Sequence, residues 1–193
     1  MSVLLVLAMG TGILIGAVTH GRVANLRSVK MRAAPLLFTS FALGLIPLVV
    51  DASAGWRRAL QLATDLGVFA FLLINIARTR AGVRAGLVVA ATGWALNVVV
   101  IALNGAMPVS RAAWVAAGQG AHPLGGGHSG FFNLRIIEAG PSTILRFLGD
   151  VIPFRLMREV LSIGDFGLVL GVVVVVAAGM HARTVVPVPE HAA

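Results

Sequence analysis

Residues 61–80, QLATDLGVFAFLLINIARTR, place one carboxylate, that of Asp65, in a run of mostly apolar residues. Gln61 precedes it by four residues and so lies on the same side of a helix. If this run crosses a bilayer, a buried charge costs about 2.5–3.5 kcal/mol or more, so Asp65 must face a helix, a wet cavity or a partner, or carry a proton. Three interpretations follow: a structural contact, which we favour, a proton- or cation-coupled site, and a contact with another subunit.

Two asparagines in a later apolar run could join Asp65 in one polar site. Asn97 and Asn104 are seven residues apart, so they lie on nearly the same face of a helix. Together with Asp65 and Gln61 they form the candidate intramembrane polar site, which could line an outward-facing cavity. Hydrogen bonding between helices is the more common role of such amides in membranes, and we favour it over ligand binding.

Two further carboxylates could form an acidic pair outside the apolar runs. Asp165 follows Ser162 by three residues in SIGDF, the arrangement of a capping box at a helix start. Asp150, in LGDVIP, has the setting of a turn residue, and it could lie beside Asp165 above the helices. Two adjacent carboxylates raise each other's proton affinity. We favour structural roles for both residues over catalysis.

The sequence offers no specific metal or cofactor site. His122 and His128 could hold a metal together with Glu138, but their spacing matches no zinc pattern. Walker, HExxH, GxSxG and paired-histidine haem motifs are all missing from the sequence. With no cysteine, the chain has neither disulfides nor thiolate ligands. We therefore expect a protein without cofactor or metal that is not an enzyme.

The composition identifies the class of protein that must position these groups. Hydrophobic residues make up 58% of the chain and charged residues 11%, with a mean hydropathy of +0.95. These values are typical of an integral membrane protein. The net charge of +8 comes from short basic clusters between apolar runs, without an accompanying recognition motif, so nucleic-acid binding is not expected.

Five apolar runs are each long enough to cross a hydrocarbon layer of about 30 Å. They cover residues 2–19, 33–50, 59–77, 85–103 and 163–180. The sequence thus predicts an all-α polytopic membrane protein with five transmembrane helices in a single domain.

Basic residues predict how the helices are oriented. They are concentrated in the loops after the first and third runs: Arg22, Arg27, Lys30, Arg32, Arg78, Arg80 and Arg84. Because such clusters remain in the cytoplasm, the N-terminus is expected outside and the tail, residues 181–193, inside. The abundance of Ala, Gly, Val and Arg with a single Lys favours a bacterial protein, and hence the bacterial plasma membrane.

Residues 104–162, here called the cap, are then external. One short helix is expected near residues 112–117. Two more are expected in STILRFLGDVIPFRLMREVL, separated by Gly149 and Pro153 and lying on the outer leaflet.

Glycine pairs mark faces where helices can approach closely. Gly12 and Gly16 in the first run, and Gly167 and Gly171 in the last, have the small-xxx-small spacing. We interpret them as packing faces, which occur in membrane helices of any function.

Several segments occur in an order that resembles a known but uncharacterised family. These segments are GTGILIGAVTHGRVANL, NGAMPVS, LGD and SIGDFGLVLG. They resemble bacterial polytopic membrane proteins described only as a domain of unknown function, and the resemblance covers nearly the whole chain. The loop GQGAHPLGGGHSGFF departs from that pattern, which leaves His122 and His128 without support. The resemblance implies the membrane topology and no catalytic residues.

Three functions are compatible with these patterns. The favoured one is a non-enzymatic accessory or binding subunit that packs laterally in the bilayer against another membrane protein or a second copy, and caps the complex externally. The alternative is a small permease or proton-linked carrier that uses Asp65. The third is a membrane enzyme acting on lipid or quinone through Asp150 and Asp165.

Overall fold

A computed structural model describes residues 2–50, 53–120, 122, 124, 128–129 and 134–182. Its long helices are α1 (Ser2–Val18), α2 (Ala34–Val49), α3 (Ala54–Ile76), α4 (Ala81–Asn104) and α6 (Ile163–Gly179). The region between α4 and α6 contains β1 (Met107–Val109), α5 (Arg111–Ala116), β2 (His128–Ser129), β3 (Leu134–Glu138), β4 (Ile152–Phe154) and β5 (Glu159–Leu161). Short 3₁₀ helices cover Val23–Ser28, Arg146–Leu148 and Arg155–Met157.

All five apolar runs are helical, although two helices begin earlier than predicted. The prediction started α3 at residue 59 and α4 at residue 85, where the apolar residues begin, whereas the helices start at Ala54 and Ala81. At α3 the cause is a helix N-cap: the Ser53 side chain accepts a hydrogen bond from the backbone N–H of Trp56. The polar first turn is therefore helical too.

Among the described residues, two helices are long and apolar enough to cross a membrane. They cover Gly55–Ile76 and Ala81–Asn104, while α1, α2 and α6 are apolar helices of 17, 16 and 17 residues. The expectation of a largely helical chain is confirmed.

Helix α6 packs against α1 on one side and α4 on the other. Gly12 of α1 approaches Val176, and Gly16 approaches Met180 one turn further on, so α1 and α6 run parallel. Gly93 of α4 approaches Leu168. Gly86, two turns before Gly93, approaches Val175, two turns after Leu168, so α4 and α6 run antiparallel. As a result, the N-terminal ends of α1 and α6 and the C-terminal end of α4 lie at the same end of the bundle.

Helix α2 packs against α3, where Gly67 leaves room for the buried hydroxyl of Ser40. At the far end of α3, the Asn75 side chain hydrogen-bonds both the N–H and the C=O of Arg32. The first loop is thereby held beside the α3–α4 turn. The two basic loops consequently share one end of the bundle, opposite the cap.

The cap contains small sheets, so the prediction of an all-α chain is wrong there. Strand β3 pairs in parallel with β1 and antiparallel with β2. The prediction of two short helices in residues 142–161 is also wrong, because β4 and β5 form an antiparallel pair with Ile152 opposite Leu161. Pro153 lacks the N–H that a helix interior needs, and Arg158, at a φ of 54°, helps to turn the chain between the strands. Only single 3₁₀ turns remain in that segment.

The cap has its own apolar core on the end of α4. Val100 of α4 packs with Met107, Val109, Ile136 and Leu148, all of which are buried. Helix α5, at Arg111–Ala116, occupies nearly the region in which a short helix is expected. The cap is thus a folded extension of the bundle.

Candidate functional site

The carboxylate of Asp65 is buried halfway along α3. Its residue is 5% exposed, and eleven helical residues separate it from each end of α3, which corresponds to about 16 Å. The Gln61 side chain donates a hydrogen bond to its Oδ1 at 3.1 Å. This contact comes from the same helix, so it leaves the carboxylate able to take up a proton, a cation or a donor from a partner.

Thr64, beside Asp65, carries a buried hydroxyl that has no hydrogen-bond partner among the described residues. The residue is completely buried. Buried hydroxyls in proteins are normally satisfied, and an unsatisfied one costs about 1–3 kcal/mol. Thr64 and Asp65 therefore each bring a buried polar group to the middle of α3, and the Thr64 hydroxyl has unused hydrogen-bonding capacity.

The side chains of Asn97 and Asn104 hydrogen-bond the start of α6 and the cap. The Asn97 amide donates to Oδ1 of Asp165 at 2.9 Å, and its carbonyl accepts from the Ser162 hydroxyl at 2.9 Å. Asn104 donates to the carbonyl of Ile144 at 2.9 Å and accepts from the N–H of the same residue at 3.0 Å. Asn97 joins α4 to α6, and Asn104 joins α4 to the cap.

Asp165 completes a capping box at the start of α6. Its Oδ2 accepts from the N–H of Ser162 at 2.9 Å, while its own N–H donates to the Ser162 hydroxyl at 3.0 Å. Because Asn97 occupies Oδ1, both carboxylate oxygens are hydrogen-bonded, and a negative charge at this helix N-terminus is favourable. This arrangement is a structural one.

Asp150 lies close to Asp165, in the half-buried chain between the cap strands. Its backbone bonds Pro108 and Ser110 on the neighbouring segment. Burial raises the pKa of the Asp150 carboxyl well above its ordinary value, and the charges of Asp165 and Glu159 raise it further. The two carboxyl groups thus differ: that of Asp165 is fixed in hydrogen bonds, and that of Asp150 has a raised pKa.

A family model of unknown function matches residues 28–177, which include α2 to α4, the cap and most of α6. The chain belongs to that family, DUF5317. The resemblance to an uncharacterised family is therefore confirmed. No curated protein and no solved structure matches the chain. Asp65, Asp150 and Asp165 lie inside the segment matched by the DUF5317 model, whereas Gly12 and Gly16 lie before it.

The four glycines singled out in the sequence all lie at contacts with neighbouring helices. Gly12 and Gly16 face α6 as described above, while Gly167 meets Gly93 and Gly171 meets Ala90 of α4. Sequence reasoning missed the partner glycines on α4, Gly86 and Gly93. Their seven-residue spacing, which places both on one helix face, was the available signal.

His122 and His128 both lie in the cap, His128 on β2. No group of three or more potential metal-binding side chains occurs in the part of the chain that the structure covers. The carbonyl of His122 accepts a hydrogen bond from the Trp114 indole at 3.1 Å, and His128 pairs with Arg135 between strands. The predicted tail lies outside the described residues beyond residue 182.

Proposed function

We propose that this chain is a non-enzymatic accessory or binding subunit of a bacterial plasma membrane, with five helices crossing the bilayer. The shorter helices α1, α2 and α6 contain 16 or 17 residues and extend about 25 Å, at the lower end of the lengths that span a bilayer. They pack alongside the two longer apolar helices, and most of their exposed residues are apolar. Five crossings then place the basic loops together in the cytoplasm and the cap outside.

The observation that carries the subunit proposal is the exposed apolar surface of the cap. Leu156 is 84% exposed, Phe147 61% and Ile144 51%. On a folded extramembrane segment, exposed apolar side chains of this size are ones that an interface with another protein would bury. Within the bundle, α1 presents further exposed apolar residues and, halfway along it, a glycine, Gly10, with open space around it. These features suit a partner that contacts both the cap and the bundle.

Gentle detergent extraction followed by native mass spectrometry tests the proposal. We expect a complex with a second protein or a second copy, which Leu156→Asp weakens. Val23→Asp is a matched control, because Val23 is also an exposed apolar loop residue but lies at the opposite end of the bundle. A wild-type chain that is recovered only as a monomer, or equal losses in both variants, would contradict the subunit function.

A second candidate, a small proton-linked carrier, is favoured by the buried carboxyl of Asp65. Carboxyl groups at mid-bilayer depth are typical of proton and ion pathways. Proton flux into proteoliposomes, followed with an enclosed pH-sensitive dye, should fall with Asp65→Asn and persist with Thr92→Ala, a substitution on an exposed face of α4. An unaltered flux in Asp65→Asn would eliminate this candidate.

An enzyme that acts on lipid or quinone through Asp150 and Asp165 has less support. Both carboxylate oxygens of Asp165 already accept hydrogen bonds within the α4–α6 junction.

A further inference from the structure

Seven exposed cations are gathered at the end of the bundle opposite the cap. They are Arg22, Arg27, Lys30, Arg32, Arg78, Arg80 and Arg84, from the first loop, the α3–α4 turn and the start of α4. The acidic residues that the structure describes lie elsewhere: Asp65 halfway along α3, and the others in the cap or at its junction with α6. This end of the described chain therefore carries a concentrated positive charge.

The first of these loops is fixed in position at both ends. At its start, the backbone N–H of Arg22 and the Asn25 side chain both donate to the carbonyl of Met180, at 2.9 and 2.8 Å. At its end, Asn75 accepts from the N–H of Arg32 at 2.8 Å and donates to its carbonyl at 3.0 Å. The cations are thus held on a common frame before any ligand binds.

The Asn75 clamp is well suited to preorganise the cluster. Asn75 is completely buried and also donates to the carbonyl of Phe71, so its amide is fixed by its own helix. It links Arg32 of the first loop to the helix end that Arg78 follows. Preorganised cations lose less entropy on binding an anion than mobile ones do.

We propose that this end of the bundle binds the headgroups of anionic phospholipids. The inference goes beyond the proposed function, and it rests on that proposal only for the placement of the helices in a bilayer. The cations lie where the apolar helices end, which is the depth of the headgroup phosphates. Guanidinium groups pair with phosphate oxygens in two parallel hydrogen bonds, and the positive cluster complements a negatively charged leaflet. Phosphatidylglycerol carries the required charge, whereas phosphatidylcholine is neutral.

Native mass spectrometry of the purified full chain in detergent, titrated with each lipid, tests this proposal without depending on orientation in a cell. We expect phosphatidylglycerol to bind more tightly than phosphatidylcholine. The variant Lys30→Gln, Arg32→Gln, Arg78→Gln should weaken phosphatidylglycerol binding about fivefold or more, since one basic residue near a charged surface contributes roughly that factor. These substitutions leave the backbone contacts of Arg32 intact.

The control is Arg58→Gln, Arg111→Gln, Arg146→Gln, which removes three exposed cations from the other end of the molecule. It should retain the preference for phosphatidylglycerol. Equal binding of the two lipids by the wild-type chain, or equal losses in the two triple variants, would overturn the proposal. So would displacement of the lipid by millimolar inorganic phosphate, because the site would then recognise a free anion. A monomeric chain that keeps the preference would refute the subunit function and leave this inference intact.

Discussion

Replacing Gly93 with alanine tests how closely α4 and α6 are packed. A Cβ at this position would collide with the carbonyl oxygen of Gly164 and would lie 2.7 Å from the backbone N of Leu168. Both are backbone atoms, so no side-chain rotation can relieve the contacts. The Gly93→Ala variant must therefore separate the two helices where Asn97, one turn further along α4, bonds Asp165.

The size of the effect follows from two opposing contributions. Overpacking a tight contact costs about 1–3 kcal/mol, while alanine gains about 1 kcal/mol over glycine in a helix interior. Gly10→Ala provides the matched control, because nothing lies within 4 Å of a Cβ there and only the helix gain applies. The free energies of unfolding of the two variants should then differ by about 1–3 kcal/mol, with Gly93→Ala the less stable.

Thermal unfolding of the purified proteins in one detergent measures this difference. The midpoint should shift by roughly 2–4 °C for each kcal/mol in a chain of this size. Relative to the wild type, Gly10→Ala should raise the unfolding midpoint, whereas Gly93→Ala should leave it unchanged or lower it. If the two variants unfold at the same temperature, the close α4–α6 contact described above is incorrect.

Three further predictions concern single polar residues. Asn75→Ala should destabilise the chain by about 1–3 kcal/mol in thermal unfolding, because the part-buried backbone N–H and C=O of Arg32 lose their partners. Ser162→Ala should lower the free energy of unfolding by about 1–2 kcal/mol in the same assay. The N-cap hydrogen bond at the start of α6 and the bond to Asn97 are both lost. Asp150→Asn should change the pH dependence of stability. Because the folded state raises the pKa of Asp150, it holds a proton that the unfolded chain releases above a pH of about 4, so wild-type stability falls as pH rises above that value. The asparagine variant should therefore be more stable than the wild type at pH 8 and no more stable at pH 4.

Hydropathy predicted the helices well because long apolar runs have few alternatives to a helix. The early start of α3 shows the limit of hydropathy. The polar turn after Ser53 is helical because the Ser53 side chain forms an N-cap, which hydropathy does not detect. The cap was predicted less well. Its strands are two to five residues long, and some of them pair across large sequence separations, as Met107 does with Ile136. Such pairings depend on tertiary contacts more than on local pattern.

The candidate site was predicted in part, for a similar reason. Seven-residue spacing correctly places Asn97 and Asn104 on one helix face, but spacing does not reveal which helix or loop that face meets. The capping box at Ser162 and Asp165 could be predicted because it depends on local geometry alone. The unsatisfied hydroxyl of Thr64 could not, since threonine in a membrane helix usually bonds a carbonyl of its own helix.

The membrane placement of the chain can be measured most directly with single cysteines. The sequence has no native cysteine, so Ser142→Cys in the cap and Ala24→Cys in the first loop each create one unique thiol at an exposed position. Intact cells are treated with a membrane-impermeant maleimide, and the protein is then purified and assayed for label. We predict labelling of Ser142→Cys and none of Ala24→Cys until the cells are opened. Labelling of Ala24→Cys alone would show that the topology is the reverse of the proposed one. Labelling of neither or of both in intact cells would contradict a bundle that separates the cap from the basic loops across the membrane.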